Sequence, residues 1–238
     1  GKTICTLDNS QHQVAEGTLI RNMVGRSIDN VFPKREKIAP GEEVLRLEDW
    51  SAYSPAVGRQ ILKNININVR AGEIVGIAGL MGSGRTELAK SIFGNPDHYH
   101  VSGKIFIKGK EQKFRNPHDA IVSELAYVTE DRKGNGLILI QDVKTNITLA
   151  NLREITERGI INDNEEIVVA NDYKQNLNIK TPTIEQKVLN LSGGNQQKVS
   201  LGKWLFVKPG VMILDEPTRG IDVGAKYEIY TIMNSLVE

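Results

Sequence analysis

The chain has 238 residues, of which 39% are apolar and 25% charged, a composition typical of a globular protein with ample material for a core. Its formal net charge of +1 gives no reason to expect a nucleic-acid or anionic-membrane surface. The single cysteine, Cys5, excludes an intrachain disulfide, and no apolar run approaches membrane-spanning length. Any membrane role is therefore expected to be peripheral and to act through a partner.

The first 43 residues differ from the rest and are expected to form a separate segment. Residues 1–8 predict one strand, and residues 17–26 have the pattern of a short helix that ends at Gly25. Charged residues with Pro33 and Pro40 then indicate a linker. We therefore expect the main domain to begin at about residue 44.

Alternation of polar and apolar residues predicts a small antiparallel sheet in the next part of the chain. Its expected strands cover residues 44–50, 64–69 and 104–108. Asn116 and Pro117 have the chemistry of an N-cap and a first helical residue. Residues 125–129 predict a further strand, which ends in a polar loop that begins at Glu130.

A glycine-rich stretch, GLMGSGRT at 79–86, lies between an apolar run at 73–78, predicted to be a buried strand, and a helical pattern at 87–93. This is the context of a phosphate-binding loop, in which backbone N–H groups and the helix N-terminus receive phosphate oxygens. Arg85 stands where the pattern G-x-x-x-x-G-K-[ST] has Lys, and Thr86 would place its hydroxyl on Mg²⁺. The alternative for this stretch alone is a glycine-rich turn.

Residues 137–190 are mainly helical in pattern, and Asp163 with Glu166 has the spacing of a capping box. The stretch LSGGNQQKV at 191–199 follows, and its two glycines stand at the start of a helix that runs through Trp204. Free N–H groups at such a helix start favour an anion. By itself, Ser-Gly-Gly is also typical of an ordinary loop cap.

Four apolar residues, Val211–Leu214, run directly into Asp215 and Glu216. A buried parallel strand presents residues at its carboxyl end to the crevice where ligands bind. Asp215 can hold Mg²⁺ through water, and Glu216 can polarise an attacking water. A solvated acidic turn is the alternative for this stretch alone.

These three stretches, in this order and at these separations, resemble the nucleotide-binding domain of an ABC transporter ATPase. The sequence at 191–197 is similar to that family's signature motif, and DEPT at 215–218 is similar to its Walker B region. The resemblance implies an α/β P-loop NTPase of ABC type with a mostly parallel core sheet and helices. It also implies a flanking antiparallel β subdomain and a helical subdomain at about 137–190.

Three further stretches look like the second cassette of monosaccharide importers of the ribose, xylose and galactose type, in which one polypeptide carries two cassettes. They are GSGRTEL at 82–88, TEDRK at 129–133 and TRGIDVGAK at 218–226. Residues 1–43 then resemble the tail of a preceding cassette and a linker. Residues 44–238 resemble a C-terminally truncated cassette, since no histidine of this chain stands in the place of the family's switch histidine.

The resemblance implies ATP and Mg²⁺ as cofactors and phosphoryl transfer to water as the reaction. Glu216 and Glu130 would be catalytic, although most ABC domains have Gln at the position of Glu130. Thr86 and Asp215 would hold the metal ion. The nucleotide-binding residues would be Tyr53, Gly79, Gly82, Ser83, Gly84, Arg85, Thr86, Ser192, Gly193, Gly194, Gln196 and Asp222. Of these, Gly79 to Thr86 would contact this chain's own nucleotide, and Ser192 to Gly194 would contact that of the partner cassette. Tyr53 would stack on adenine, with Trp50 as the alternative.

The partners implied are a second nucleotide-binding cassette, in the same polypeptide or as a dimer mate, and transmembrane permease subunits. A periplasmic or extracellular sugar-binding protein would act indirectly, and no nucleic acid is expected. The implied location is peripheral, at the cytoplasmic face of a bacterial plasma membrane. Two alternatives stay open: a degenerate cassette that lends only its signature, and a soluble ABC ATPase unconnected with transport. RGIDVG at 219–224 argues against the second.

Overall fold

The computed structural model describes residues 3–8, 10, 13–24, 32–35 and 39–238. Helix α1 runs Glu16–Val24, as predicted, and its expected end at Gly25 lies outside the described residues. The strand predicted for residues 1–8 is wrong for residues 3–8, which are exposed and have no regular structure. A strand needs a hydrogen-bonded neighbour, and residues 3–8 have none among the described parts of the chain.

Four antiparallel strands form the larger sheet, in the order β2-β1-β3-β4. They are β1 (Glu43–Ser54), β2 (Arg59–Arg70), β3 (His100–Ile107) and β4 (Lys110–Gln112). The register places Leu45 of β1 opposite Ile107 and Leu47 opposite Ile105, and all four side chains are buried. This face packs against the helix that follows the glycine-rich loop, so the antiparallel sheet supports that loop.

A parallel pair of strands lies beside this sheet. Strands β5 (Leu125–Val128) and β8 (Val211–Leu214) pair in parallel, with Leu125 opposite Val211 and Val128 opposite Leu214. All four residues of β5 are buried. Helix α3 (Pro117–Val122) precedes β5, and Asn116 caps it as predicted, accepting a hydrogen bond from the Asp119 N–H at 3.1 Å. Both strands and the helix start were correctly located from the sequence.

The apolar run at 73–78 is not a strand, so that prediction is wrong. The side chains of Ile74, Val75 and Ile77 are 40%, 40% and 51% exposed. A cleft of about 790 Å³ lies between this run and β8. Hydrophobicity predicted a buried strand here, but strand formation depends on hydrogen bonds to a distant neighbour, which local sequence does not reveal.

The segment from residue 132 to residue 205 consists mainly of helices joined by loops, with one short hairpin. It contains a π-helix (Arg132–Gly136), α4 (Val143–Thr148), a 3₁₀ helix (Leu149–Ile155), β6 (Thr156–Glu157), β7 (Ile160–Ile161), α5 (Asp163–Asn176), a 3₁₀ turn (Val188–Asn190) and α6 (Gly193–Leu205). Val143, Ile147, Val188 and Val199 are fully buried in its core. Helix α7 (Val223–Ser235) follows β8 and packs on α6. None of the described helices is long and apolar enough to cross a membrane.

The predicted capping box of α5 is wrong by one residue. Asn162 caps this helix, and its side chain accepts hydrogen bonds from the N–H groups of Asn164 and Glu165 at 3.1 and 3.3 Å. Glu166 instead turns inward, where it pairs with Lys144 and accepts a hydrogen bond from the Thr148 hydroxyl at 2.8 Å. The hydrogen bond that Lys144 Nζ donates to the Glu166 carboxylate raises the pKa of Lys144. This carboxylate therefore joins α5 to α4.

Candidate functional site

The glycine-rich loop meets helix α2 (Arg85–Ile92) at Gly84, which has φ +91° and precedes the first helical residue. A Cβ on Gly84 would lie 3.0 Å from Leu62 Cδ2, so both packing and backbone conformation favour glycine there. Gly82 also has a positive φ of +79°, but open space surrounds it. Gly79 lies close to Ser83, because a Cβ added to Gly79 would lie 2.5 Å from Ser83 Oγ. The loop is exposed, and its shape depends on these glycines.

Thr86 and Asp215, the predicted metal-holding pair, are in direct contact. Thr86 Oγ1 donates a hydrogen bond to Asp215 Oδ2 at 2.8 Å. The Tyr127 hydroxyl donates to the same oxygen at 3.1 Å. Burial and the negative charge of Asp215 raise the pKa of Tyr127. Parallel pairing of β5 and β8 brings these groups together at the start of α2.

Arg85 lies beside the glycine-rich loop, with its Cδ 3.6 Å from the place of a Cβ on Gly79, and its guanidinium contacts the predicted catalytic residue, Glu216. Its Nη1 lies 3.0 Å from Glu216 Oε1, with the two side chains 33% and 43% exposed. Glu216 has a φ of +44°, an uncommon conformation for a residue other than glycine. Such backbone strain is concentrated at functional sites. The arginine and the carboxylate thus neutralise each other beside the loop.

Glu130, the other predicted catalytic residue, pairs with Arg219. Two residues further along, Arg132 Nη1 donates a hydrogen bond to the Arg219 carbonyl oxygen at 2.9 Å. The loop after β5 is therefore bound to the loop after β8 through both the side chain and the backbone of Arg219. Asp222, at the end of the latter loop, caps α7 by accepting a hydrogen bond from the Ala225 N–H at 2.9 Å.

Ser192 is the N-cap of α6, and its Oγ accepts a hydrogen bond from the Asn195 side-chain amide at 2.9 Å. The two glycines that follow permit close packing. A Cβ on Gly193 would lie 2.9 Å from Arg132 Nη2, and one on Gly194 would lie 2.5 Å from Ala225 Cβ. The start of α6 therefore lies against both the loop after β5 and helix α7.

Gln196 is only 4% exposed, and its Nε2 donates a hydrogen bond to the Val188 carbonyl oxygen at 3.1 Å. Its side chain supports the helical segment from inside, and its role as a nucleotide contact stays a prediction. Tyr53 is 38% exposed on β1, and its ring stacks on that of His100 with centroids 6.0 Å apart. Trp50 is 7% exposed and donates to Ser91 Oγ at 3.0 Å. Trp50 is therefore the wrong alternative for stacking on adenine, because its ring is part of the core.

A family model described as ABC transporter matches residues 62–219. The chain belongs to the ABC transporter family. It is 52% identical to the L-arabinose transport ATP-binding protein AraG of Geobacillus stearothermophilus, over 100% of this chain and 46% of that protein. It is 49% identical to the xylose import ATP-binding protein XylG of Thermoanaerobacter pseudethanolicus, over 100% of this chain and 46% of that protein. The ABC chain thus spans about half the length of these curated relatives.

A third relative, the ribose import ATP-binding protein RbsA of Clostridium tetani, is 48% identical over 92% of this ABC chain and 42% of its own length. Among solved structures, a nucleotide-free ATP-binding cassette from an ABC transporter has a TM-score of 0.69 at 21% identity, covering 82% of this chain and 77% of its own. A dimeric cassette bound to ADP and Pi has a TM-score of 0.67 at 23% identity, covering 82% and 83%. These structures confirm the predicted ABC cassette fold.

Tyr127 contacts Asp215 and Arg132 contacts Gly193 in this ABC cassette site, and neither side chain had a predicted role. Tyr127 lies one residue before the end of β5, and its contact depends on the pairing of Tyr127 with Ile213. Arg132 stands within the family-like stretch TEDRK, which was the only sequence signal for it. Both contacts cross between segments far apart in the chain, so no local pattern predicts them.

Proposed function

We propose that this chain is an ATP-binding and ATP-hydrolysing cassette that energises import of a monosaccharide through a membrane permease. The observation that carries the proposal is the meeting of the glycine-rich loop with the carboxyl end of β8, where Thr86 contacts Asp215 and Arg85 contacts Glu216. The names of the relatives support the sugar class, since they are ATP-binding proteins for L-arabinose, xylose and ribose. The particular sugar is not part of the proposal.

Backbone N–H groups of residues 82–86 and the N-terminus of α2 would hold the nucleotide's phosphates. Mg²⁺ fits the adjacent pair, because Thr86 Oγ1 and Asp215 Oδ2 are hard oxygen donors 2.8 Å apart. The described residues hold no group of three or more His, Cys, Asp or Glu side chains that could bind a metal alone. Phosphate and water oxygens would therefore complete its coordination. When bound, the ion supplies charge neutralisation at the β- and γ-phosphates.

Glu216 would polarise the attacking water once Arg85 leaves it. A polyphosphate competes with the carboxylate for the guanidinium, because both accept its N–H groups. Arrival of the nucleotide would thus transfer Arg85 to phosphate oxygens and leave Glu216 available to water. Glu130, held by Arg219 beside the same loop, would respond to the change in charge. Tyr53, exposed on β1, would stack on adenine.

Ser192, Gly193 and Gly194 would face the nucleotide of a second cassette rather than this chain's own. Support comes from the dimeric arrangement of a structural relative bound to ADP and Pi. The second cassette would belong to the same polypeptide, since the relatives are about twice the length of this chain, which covers 46% of them. The helical segment 137–190 would contact permease subunits at the cytoplasmic face of the membrane. A separate sugar-binding protein would deliver the sugar.

Neither alternative is favoured. A degenerate cassette is suggested by Arg85 at the lysine position, but the relatives are named as ATP-binding proteins of transport systems. Those names also argue against a soluble ATPase unconnected with transport. The contacts of Thr86 with Asp215 and of Arg85 with Glu216 support a hydrolytic site.

The test uses the full-length two-cassette protein with its permease and follows single-turnover hydrolysis after silencing the other cassette's own catalytic carboxylate. Glu216→Gln should keep ATP binding and slow the chemical step about 100-fold, the usual size of a general-base contribution. Glu124→Gln is the matched control, because Glu124 is an exposed carboxylate before β5 that pairs with Lys108. Lost binding with an unchanged single-turnover rate would contradict the role of Glu216.

A further inference from the structure

We propose that Arg132 is a positioning residue that joins the start of α6, residues 192–194, to the loop between β8 and α7. The proposal rests on the function proposed above, because it concerns the surface offered to a second cassette. No contact of Arg132 with a nucleotide is invoked. Its guanidinium is inferred to hold two parts of the site in one fixed arrangement.

The guanidinium lies between two other segments of the chain, the start of α6 and the loop after β8. Its Nη1 donates to the carbonyl oxygen of Arg219 at 2.9 Å. Its Nη2 lies 2.9 Å from the place of a Cβ on Gly193 and 3.9 Å from that of a Cβ on Gly220. One side chain from the loop after β5 thus contacts both the start of α6 and the loop after β8.

The backbone that carries Arg132 is held on both sides. Asp131 accepts a hydrogen bond from the Gly134 N–H at 2.9 Å and caps the π-helix. Lys203, a buried residue of α6, donates a hydrogen bond to the Gly136 carbonyl oxygen. Burial lowers the pKa of Lys203 to about 8. The base of the Arg132 side chain is therefore anchored to the same helix whose start the guanidinium contacts.

Arg132 Nε is buried and has no hydrogen-bond partner among the described residues. An unpaired buried donor gives no favourable contact, so the position of this side chain is set by what its terminal nitrogens contact. A planar fork can address Arg219 and Gly193 at once. A lysine has a single terminal nitrogen and lacks that geometry.

The proposed consequence for function is that Arg132 fixes the position of the start of α6 relative to the loop after β8. Ser192 and Gly193 would face the phosphate of another cassette, while Glu216 lies in the loop that Arg132 holds through Arg219. A displacement of about 1 Å between such groups can reduce a rate by about 100-fold. Arg132 would therefore couple this chain's own catalytic loop to the surface it presents to its partner.

The first experiment measures steady-state ATP hydrolysis by the full-length transporter. Arg132→Ala should lower kcat about tenfold and leave KM for ATP within about twofold, because positioning is lost but nucleotide binding is kept. Arg132→Lys should not restore kcat, since charge alone does not replace the fork. Lys133→Ala, at the exposed neighbouring residue, is the control and should behave as wild type. Full rescue by Arg132→Lys, or a rise in KM without loss of kcat, would overturn the proposal.

A double-mutant comparison tests the contact itself. Gly193→Ala should lower kcat by placing a Cβ against Arg132, and Arg132→Ala in the same protein should add less than its separate effect. Gly194→Ala is the matched control, because its Cβ would meet Ala225 instead. The loss of kcat caused by Gly194→Ala should multiply with the loss caused by Arg132→Ala. If the losses of kcat caused by Gly193→Ala and by Gly194→Ala both multiplied fully with the loss caused by Arg132→Ala, the proposed contact would be overturned.

A second readout does not depend on turnover. Amide hydrogen exchange of the full-length protein should become faster in residues 192–196 and 219–222 in Arg132→Ala and stay unchanged in residues 85–92. Unchanged exchange in the first two segments would overturn the proposal. If the wild-type protein did not hydrolyse ATP, the proposed function would fail, while the exchange pattern would still decide the role of Arg132.

Discussion

The two regions of this cassette that are proposed to bind phosphate are built in different ways. In the glycine-rich loop, Leu80 and Met81 are 85% and 94% exposed. At the signature end, Lys198 and Val199 of α6 are 2% and 0% exposed. The loop is connected to the carboxyl end of β8 by polar contacts, whereas α6 is packed along its length between the helical core and α7.

This difference indicates which region can respond to a ligand. A segment with few buried apolar contacts opens or rearranges at low cost, while a packed helix does not. The Arg85–Glu216 pair is half-exposed and can exchange partners when a phosphate arrives. The buried Lys198, by contrast, pairs with Glu228 of α7 at 2.7 Å and donates to the Asn178 carbonyl oxygen at the same distance. We therefore expect the loop to adapt to its own nucleotide and the signature to present a preformed surface.

The largest expected effect comes from breaking the two regions separately in the full-length protein. Gly193→Asp should reduce transport about 100-fold, because it places negative charge where phosphate of the other cassette must approach backbone N–H groups. The affinity of this cassette's own site, measured by nucleotide titration, should be unchanged.

Gly82→Asp is the reciprocal variant. A Cβ at residue 82 would meet open space, but the φ of +79° there is unfavourable for a residue with a side chain, and an aspartate repels phosphate. The affinity of this cassette's own site for nucleotide should therefore fall. Loss of the cassette's own affinity in Gly193→Asp would show that the signature acts on its own nucleotide, and the comparison of the two regions would fail.

A smaller effect is expected from changing the cation of the loop. Arg85→Lys should tighten Mg-ATP binding about tenfold, since a compact ammonium fits inside a phosphate loop better than a planar guanidinium. Calorimetric titration of both forms is the measurement. Lys90→Arg, one turn further along α2, is a control for the substitution type and should leave affinity unchanged. An unchanged or weaker affinity in Arg85→Lys would show that the arginine has a role of its own.

The smallest effect concerns the packed helix α6 and the dependence of the unfolding free energy on pH. Burial lowers the pKa of Lys203 to about 8 from an ordinary 10.5, so between these pH values the unfolded state binds more protons. The unfolding free energy should therefore rise with pH across this window, by on the order of 1–3 kcal/mol from this group. Below pH 8 the full cost of burying the charge is present.

Lys203→Met should remove that rise, and Lys208→Met, at an exposed lysine, should keep it. Denaturant unfolding at several pH values is the measurement. The slope with pH carries the test, because the variant also removes the hydrogen bond to Gly136. If the unfolding free energy of Lys203→Met rose with pH as steeply as that of the wild type, Lys203 would be solvated, and α6 would be less tightly packed than the structure indicates.

Local sequence predicted several of these elements correctly, and the predictions that failed are informative. The N-cap Asn116 and the positions of α6 and β8 followed from capping chemistry and hydrophobic pattern. The run at 73–78 has the composition of a strand but does not form one, because pairing is a long-range event. The cap of α5 shifted to Asn162 because Glu166 found buried partners on α4.

Local sequence was sufficient to identify the family, the glycine-rich loop, the signature and the two carboxylates after β8, because these are contiguous stretches whose chemistry depends on near neighbours. The side chains that these groups contact became known only from the folded arrangement. Arg85 meets Glu216 across 131 positions, Thr86 meets Asp215 across 129, and Arg132 meets Arg219 across 87. Contacts at such separations depend on how the strands pair and the helices pack, so no local pattern specifies them.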